Sequence, residues 1–408
     1  MRNISILVAA VFISATATAQ QVWWGEQNIV SPEIHPDNTV TFRFYAPKAM
    51  MVQVTGDFLP AQKTDTPFGQ YDAPGVAGLQ KGKDGLWEFT TPAPLASELY
   101  GYAFIVDGLR MTDPNNVFLI RDVTTVINVF LVGGGQGDYY RVSNVPHGTV
   151  ARRWYNSPGL KAERRMTIYT PPGYESGKES YPVFYLLHGG GGDEEAWIQQ
   201  GRASQVLDNL IAQGKAKPMI VVMPNGHMST PAAAGESSKG FQKPEVQITD
   251  ITAGEMELSF IDIIRFVESN YRVKKDKANR AIAGLSMGGL HSLHISAFYP
   301  NTFGYIGLFS NATLDLMKSF PGATVLTGDK EPIVYRDFDK KLETQMKNGY
   351  KLYWIACGKT DFVLPGVNAL RAKMDRMGMK YVYRESEGGH TWANWRLYLT
   401  EFAQLLFK

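Results

Sequence analysis

The chain has 408 residues, of which 44% are apolar and 20% charged, a balance that excludes intrinsic disorder and leaves ample material for buried cores. Its 41 basic and 39 acidic side chains give a net charge of +2, so there is no basic field of the kind that drives non-specific nucleic-acid binding. Forty glycines and 12% aromatic residues point to a strand-rich protein with many turns.

In chain order, the first segment carries Met1 and Arg2, an apolar run over residues 4–14 and the small residues Ala17-Thr18-Ala19. This is the pattern of a secretory signal over residues 1–19, with cleavage expected before Gln20 and a secreted or periplasmic mature chain. The run is too short to span a bilayer, and no later stretch reaches the roughly 18 uninterrupted apolar residues a membrane span needs. Cys357 is the only cysteine, so no intrachain disulfide can form, and a bacterial exported protein is expected rather than a eukaryotic one. No cysteine stands beside the cleavage site to take a lipid anchor.

Between residues 22 and 132 the apolar period is two. Val40, Phe42 and Phe44 alternate with Thr41, Arg43 and Tyr45, and Tyr100, Tyr102, Phe104 and Val106 recur in the same way before the turn pair Asp107-Gly108. Further strands are expected at 51–54, 86–90 and 124–132, so residues 20–133 read as an immunoglobulin-like β-sandwich without a helix. The run Gly133-Gly134-Gly135-Gln136-Gly137 breaks the period, and residues 134–150 are expected to form a linker with few contacts crossing it.

Over residues 151–408 strands alternate with helices. The runs at 181–187, 219–223, 280–284, 305–310 and 352–357 are almost continuously apolar, as central strands covered on both faces are. Phe260, Ile264, Val267 and Tyr271 recur at helical spacing, as do Val367, Leu370, Met374 and Met377, then Trp395, Tyr398, Leu399, Phe402 and Leu406. This alternation predicts a doubly wound, mostly parallel α/β sheet.

Gly284-Leu285-Ser286-Met287-Gly288 stands between a predicted strand and a predicted helix, the context of a nucleophile elbow. There the flanking glycines permit a sharp turn that holds the serine hydroxyl above the sheet. A serine hydroxyl is a weak nucleophile at neutral pH, so a histidine must take its proton and an acid must orient that histidine. In α/β-hydrolases the chain order is serine, acid, histidine. Of seven histidines only His291, His294 and His390 follow Ser286. His291 and His294 lie on the helix after the elbow and read as packed or surface helix residues. His390 follows Gly388-Gly389 in a loop beyond a strand at 381–384 and is the expected base. Asp361, just past the strand at 352–357, is the expected acid, with Asp329, Glu385 and Glu387 as competitors. His188-Gly189-Gly190-Gly191-Gly192 follows a strand and can bring its backbone close to a substrate carbonyl. The N–H groups of Gly190 and Met287 are then the expected oxyanion donors, and His188 a support for the loop. Nothing in this chemistry calls for a metal or cofactor.

Together these segments resemble carbohydrate esterase family one, the feruloyl and acetyl xylan esterases of the putative-esterase family, with enterochelin esterases and mycolyltransferases as relatives. The resemblance begins near Ala162. It is carried by Tyr185-Leu186-Leu187-His188-Gly189, Phe266-Val267-Glu268-Ser269-Asn270-Tyr271, the string from Arg280 to Gly289, Ile355-Ala356-Cys357-Gly358 with Asp361, and Gly388-Gly389-His390 through Trp395. It implies the same triad, an α/β-hydrolase fold and ester substrates on plant xylan. Thr391-Trp392-Ala393-Asn394 is bulkier than many members show, which alters the pocket. Phe42-Arg43-Phe44-Tyr45-Ala46-Pro47, Val54-Thr55-Gly56-Asp57-Phe58 and Asp113-Pro114-Asn115 resemble the early-set sandwiches of starch-branching and debranching enzymes. Some of those bind glucans, and Trp23, Trp24 and Trp87 are the aromatic candidates here for a glucan or xylan contact, or equally for core positions. Three functions are thus in play: an esterase on feruloylated or acetylated xylan, an esterase or acyltransferase on another ester such as a siderophore lactone, and a binding protein on a hydrolase scaffold. The intact triad and glycine loop disfavour the last. Trp392 and Trp395, with Phe362 and Leu364, are expected to wall a slot for a planar hydroxycinnamoyl group.

Overall fold

The computed structural model describes residues 29–66, 69–244, 251–319 and 326–408. The leader segment, Trp23 and Trp24 lie outside them. The organising element is an eight-stranded sheet whose strands are, in chain order, β1 (Thr149–Ser157), β2 (Ala162–Thr170), β3 (Val183–Leu187), β4 (Ile220–Pro224), β5 (Arg280–Leu285), β6 (Tyr305–Phe309), β7 (Leu352–Gly358) and β8 (Val382–Ser386). Their spatial order is β1-β2-β4-β3-β5-β6-β7-β8. β1 pairs antiparallel with β2, and β2 with β4, while every other neighbour pair is parallel.

Near-continuous apolar runs become central strands here because both faces are covered. Val183, Tyr185 and Leu187 of β3 enter one core, with Phe260 and Val267 of α2 (Glu255–Asn270) and Val367 and Met374 of α5 (Leu364–Arg376). Phe184 and Leu186 enter the other, with Val206 and Leu210 of α1 (Ala203–Ala212) and Tyr398 and Phe402 of α6 (Trp392–Ala403). Between these helices lie α3 (Met287–Phe298), which follows β5, and α4 (Phe338–Asn348). β1 and β2 escape an apolar reading because they carry the pairs Arg152-Arg153 and Arg164-Arg165. Arg164 and Arg165 are nonetheless buried, where their charges are met by carbonyls and by Glu194, Glu195 and Glu236.

Beside a separate two-stranded hairpin, Gln62–Thr66 with Gly69–Ala73, the described residues of 29–132 form two antiparallel sheets. One runs Glu33–Ile34, Val40–Tyr45, Leu86–Thr90, Gln80–Lys81; the other runs Leu119–Asp122, Thr125–Leu131, Leu99–Val106, Val52–Gly56, Gly75–Gly78, with Leu109–Met111 on its Leu99–Val106 strand. Val40, Phe42 and Phe44 of the first share a core with Val54, Tyr102, Phe104 and Phe130 of the second, which makes the pair a sandwich. Trp87 is in that core, its indole N–H donating to Ala46 O at 2.9 Å. That removes it as a sugar platform.

The loose-linker expectation for residues 134–150 is corrected by the structure. Gln136–Tyr139 makes a 3₁₀ turn, and Gly137 N–H donates to Ser97 Oγ at 3.0 Å. Tyr140 is fully buried in the same core as α1 and α6. Asn209 of α1 donates to the carbonyls of Tyr139 and Arg141 at 3.0 Å each. Above all, Arg396 of α6 is 3% exposed and donates to Glu98 at 3.0 Å, to Gln200 O at 2.9 Å and to Leu99 O at 2.8 Å. A glycine run does not make a tether when an aromatic ring beside it has a core to enter.

Arg396→Met keeps the stem and deletes the head, leaving Glu98 largely buried without its cation and two carbonyls without donors. Removing one partner of such a pair costs about 3–5 kcal/mol, so thermal unfolding should begin several degrees lower than in the wild type. An unchanged melting temperature would show that the sandwich is held by other contacts.

Candidate active site

Ser286 sits where β5 turns into α3, with φ 52° and ψ −115°, a conformation that costs an L-residue roughly 1–3 kcal/mol. Neighbouring strands hold it there. Ser286 N–H donates to Phe309 O at 2.9 Å, and Ser286 O accepts from Ala312 N–H at 2.9 Å and Leu290 N–H at 3.1 Å. The flanking glycines are required by contact: a Cβ on Gly284 would stand 2.4 Å from the Gly288 carbonyl, and one on Gly288 would stand 2.5 Å from the carbonyl oxygens of Leu187 and His188. A Cβ on Gly189 would lie 3.3 Å from Ser286 Cβ, so the glycine loop passes directly beside the elbow. Met287 and Gly190 have no intramolecular acceptor for their backbone N–H among the described residues, the Met287 N–H being one of the free donors at the start of α3.

The loops after β7 and β8 are pressed together, since a Cβ on Gly358 would meet Gly388 O at 2.2 Å. This brings Asp361 to His390: the imidazole Nδ1–H donates to Asp361 Oδ1 at 2.9 Å and Oδ2 at 3.1 Å. Asp361 also accepts from Val363 N–H at 3.0 Å and its carboxylate is fully buried. With the proton fixed on Nδ1, Nε2 is left as an acceptor. The ring is held between Phe362, 4.5 Å away, and Trp395, 4.8 Å away and perpendicular to it. Of the competing acids, Asp329 is exposed, Glu385 is exposed beside the Tyr383 hydroxyl, and Glu387 pairs with Lys359 at the surface. His291 and His294 are buried within α3, His291 meeting Glu257 at 2.8 Å.

Ser286 and His390 line one cavity of about 630 Å³, with Gly189, Gly190, Trp392 and Trp395. No hydrogen bond joins Ser286 Oγ to His390 Nε2 in this conformation, as is common before substrate tightens such a site. The two tryptophans are edge to face at 5.2 Å, and Trp392 meets Trp197 at 5.3 Å. Phe362 and Leu364 depart from expectation: neither lines the cavity, and both pack against the core beneath α5. The opposite wall comes from the sandwich, through Asp57, Asp72, Arg110, Asp122, Ile120 and Ile127. Burial pushes Asp57 up to about 6, against the pull of Arg396 and the Gly101 N–H. Thr360, next to Asp361, donates to Asp72 at 3.4 Å. Sequence reasoning missed this wall because its residues lie more than 150 positions from Ser286 and carry no motif of their own.

His188 does support the glycine loop. Its Nδ1–H donates to Gly189 O at 2.8 Å and its Nε2 accepts from Gly226 N–H at 2.8 Å. Among the described residues no three His, Cys, Asp or Glu side chains are grouped to hold a metal, and no helix is long and apolar enough to cross a membrane.

Comparison with known proteins places this geometry in a family. A relative from Xylanibacter ruminicola, an endo-1,4-beta-xylanase/feruloyl esterase, is 31% identical over 337 residues, 81% of this chain. The chain spans 41% of that relative's own length. A ferulic acid esterase structure from Anaeromyces mucronatus superposes with TM-score 0.52 at 25% identity, over 66% of this chain and 95% of that one. The enterobactin esterase of Shigella flexneri shares the fold across 94% of this chain and 98% of its own, with TM-score 0.60 at 17% identity. The putative esterase family model matches residues 157–405, the whole doubly wound sheet from the end of β1 to α6, and the chain therefore belongs to the putative esterase family, the carboxylic ester hydrolases on the α/β-hydrolase fold.

Proposed function

We propose that this chain is a secreted serine esterase that releases feruloyl or related hydroxycinnamoyl groups from xylan through an acyl-enzyme. The observation that carries the mechanism is that His390, held by Asp361, lines the same cavity as a serine on a strained elbow. Ser286 Oγ attacks the ester carbonyl while His390 Nε2 takes its proton, and Asp361 holds the imidazole and stabilises the imidazolium that forms. The N–H groups of Gly190 and Met287, both free of internal acceptors, receive the oxyanion. The imidazolium then protonates the leaving sugar oxygen. Water repeats the sequence to free the acid and restore Ser286.

The choice of acyl group is supported by the tryptophans and by the names of two relatives, the feruloyl esterase of Xylanibacter and the ferulic acid esterase of Anaeromyces. Trp392 and Trp395 give a planar aromatic acyl group two perpendicular indole faces, which an acetyl group does not need. The sandwich wall, with three carboxylates, one arginine and no exposed basic cluster, suits the hydroxyl-rich alcohol of the ester. An iron-bound tris-catecholate would call for more cations there, which ranks the siderophore reading below xylan. The leader pattern supports export, and domain limits of 20–133 and 151–408 remain the reading for the two folded parts.

Ser286→Ala should remove turnover and leave the fold intact. Asp361→Asn should lower kcat by about 10²- to 10⁴-fold with a smaller change in KM, because it spoils the imidazole's tautomer rather than the binding wall. Steady-state assays on methyl ferulate check both, and near-full activity of Asp361→Asn would dismiss it as the orienting acid. The substrate reading has its own test, kcat/KM on a hydroxycinnamate methyl ester against an acetyl ester of matched leaving group. A tenfold preference for acetyl, about 1.4 kcal/mol of transition-state binding, would replace feruloyl with acetyl xylan esterase.

A further inference from the structure

The Gly190 N–H is one of the two donors the proposed mechanism needs, and the peptide planes on both sides of Gly190 are each held by an imidazole. The plane that carries the Gly190 N–H also carries the Gly189 carbonyl, and in a trans peptide the two point in opposite directions. By donating to Gly189 O at 2.8 Å, beside the Gly192 N–H that donates to it at 3.1 Å, His188 Nδ1–H therefore helps to fix which way the Gly190 N–H faces. The next plane carries the Gly191 N–H, which donates to His227 Nε2 at 3.0 Å. Gly191 has φ +77° and no side chain, so that bond replaces the steric control a larger residue would exert.

His227 belongs to a different loop, the one after β4. That loop returns the interaction through Gly226 N–H, which donates to His188 Nε2 at 2.8 Å. Each loop thus offers a ring nitrogen to a glycine amide of the other, with ring centroids 5.7 Å apart. The β4 loop is itself fixed from below: Arg164 donates to the carbonyls of Asn225, His227 and Met228 at 2.9 Å each. His227 N–H donates to Asn225 Oδ1 at 2.9 Å. Neither ring lines the cavity.

We propose that His227 is a positioning residue for the oxyanion hole, forming with His188 a reciprocal latch of two neutral imidazoles that aims the Gly190 N–H at the developing oxyanion. The inference rests on the serine-esterase reading. Each ring works as an acceptor only while its Nε2 is unprotonated. Burial secures this by pushing His188 down to about 4 and His227 down to about 3. The Arg164 charge acts in the same sense on both rings, while the bond to the Gly189 carbonyl and the Asp193 charge oppose it at His188. His227 Nδ1–H meets no acceptor among the described residues, so the ring's one side-chain bond is the one to Gly191.

The test separates the acceptor from the bulk. Gln at position 227 carries an oxygen about where Nε2 stands and can still accept, whereas Asn is polar but too short. His227→Asn should lower kcat on methyl ferulate by about 10²-fold, the scale of a misplaced oxyanion donor. KM should stay within about threefold, and His227→Gln within about fivefold of wild-type kcat. Affinity for a boronic acid that forms a tetrahedral adduct on Ser286 should weaken in parallel with kcat, while affinity for free ferulate should not. That ratio is read on folded molecules only, so it decides the matter even where His227→Asn lowers stability. Unchanged kcat in His227→Asn, a Gln variant as slow as the Asn variant, or an unchanged boronate-to-ferulate ratio would each overturn the latch. Ser286→Ala assayed alongside distinguishes the two levels: retained turnover there defeats the esterase site itself, whereas its loss beside a fully active His227→Asn defeats the latch alone.

Discussion

A single backbone conformation, the left-handed turn at Ser286, dictates what surrounds it. A residue at φ 52° and ψ −115° persists only where its neighbours over-determine it, and here they do so through both polar groups of its peptide. The elbow can be that tight only because Gly284 and Gly288 lack side chains. The same missing atoms let the carbonyls of Leu187 and His188 come against the start of α3. One steric requirement thus fixes three things together: the exposure of the hydroxyl, the free N–H groups at the head of α3, and the approach of the glycine loop.

The second constraint is that the cavity has two makers. The α/β sheet contributes Ser286, His390 and the two tryptophans, and the sandwich contributes the remaining wall. Arg396 lies in the helix that begins with Trp392 and reaches across to Glu98 and Leu99, so one helix carries an aromatic wall of the cavity at its first turn and anchors the opposite domain one turn later. Asp57, on the sandwich side, is buried enough to be pushed up to about 6. A carboxyl in that state can change from acceptor to donor near neutrality.

What could be read from the chain alone follows from range. The strands β3 to β8 and the helices α2, α5 and α6 were legible because burial on two faces or one stripe writes itself into consecutive residues. Chain order and strand ends singled out Ser286, Asp361 and His390, and the structure joins Asp361 to His390 and sets His390 and Ser286 on one cavity. β1 and β2 were hidden by their arginines, of which Arg152 and Arg165 are balanced by acids 29 or more residues away and Arg164 by carbonyls more remote still. α4 was hidden by its polarity, with only Leu342 and Gln345 buried. Tyr140, Asp57 and His227 carry no local signal, since each acquires its place from a contact with a part of the chain remote in sequence. Phe362 illustrates the converse: its position beside Asp361 suggested a cavity wall, yet its ring is spent on packing against His390.

The cluster beneath the glycine loop shows why a costly arrangement is kept. Arg165 and Glu194 are both buried, and Glu194 Oε1 accepts from Arg165 at 2.6 Å and from Ala233 N–H at 2.8 Å, while Oε2 accepts from Asn225 at 2.9 Å. Buried ion pairs of this kind contribute little net stability, because desolvation offsets their attraction, and apolar replacements of equal volume are often as stable. An apolar core would, however, leave the loops after β3 and β4 free to slide, since dispersion has no preferred direction. Glu194 stands six residues beyond His188, and Asn225 two before His227. Their directional bonds hold both loop bases at the spacing that lets His188 and His227 reach across, so the buried charge fixes the geometry of the glycine loop more than it adds to the stability of the fold.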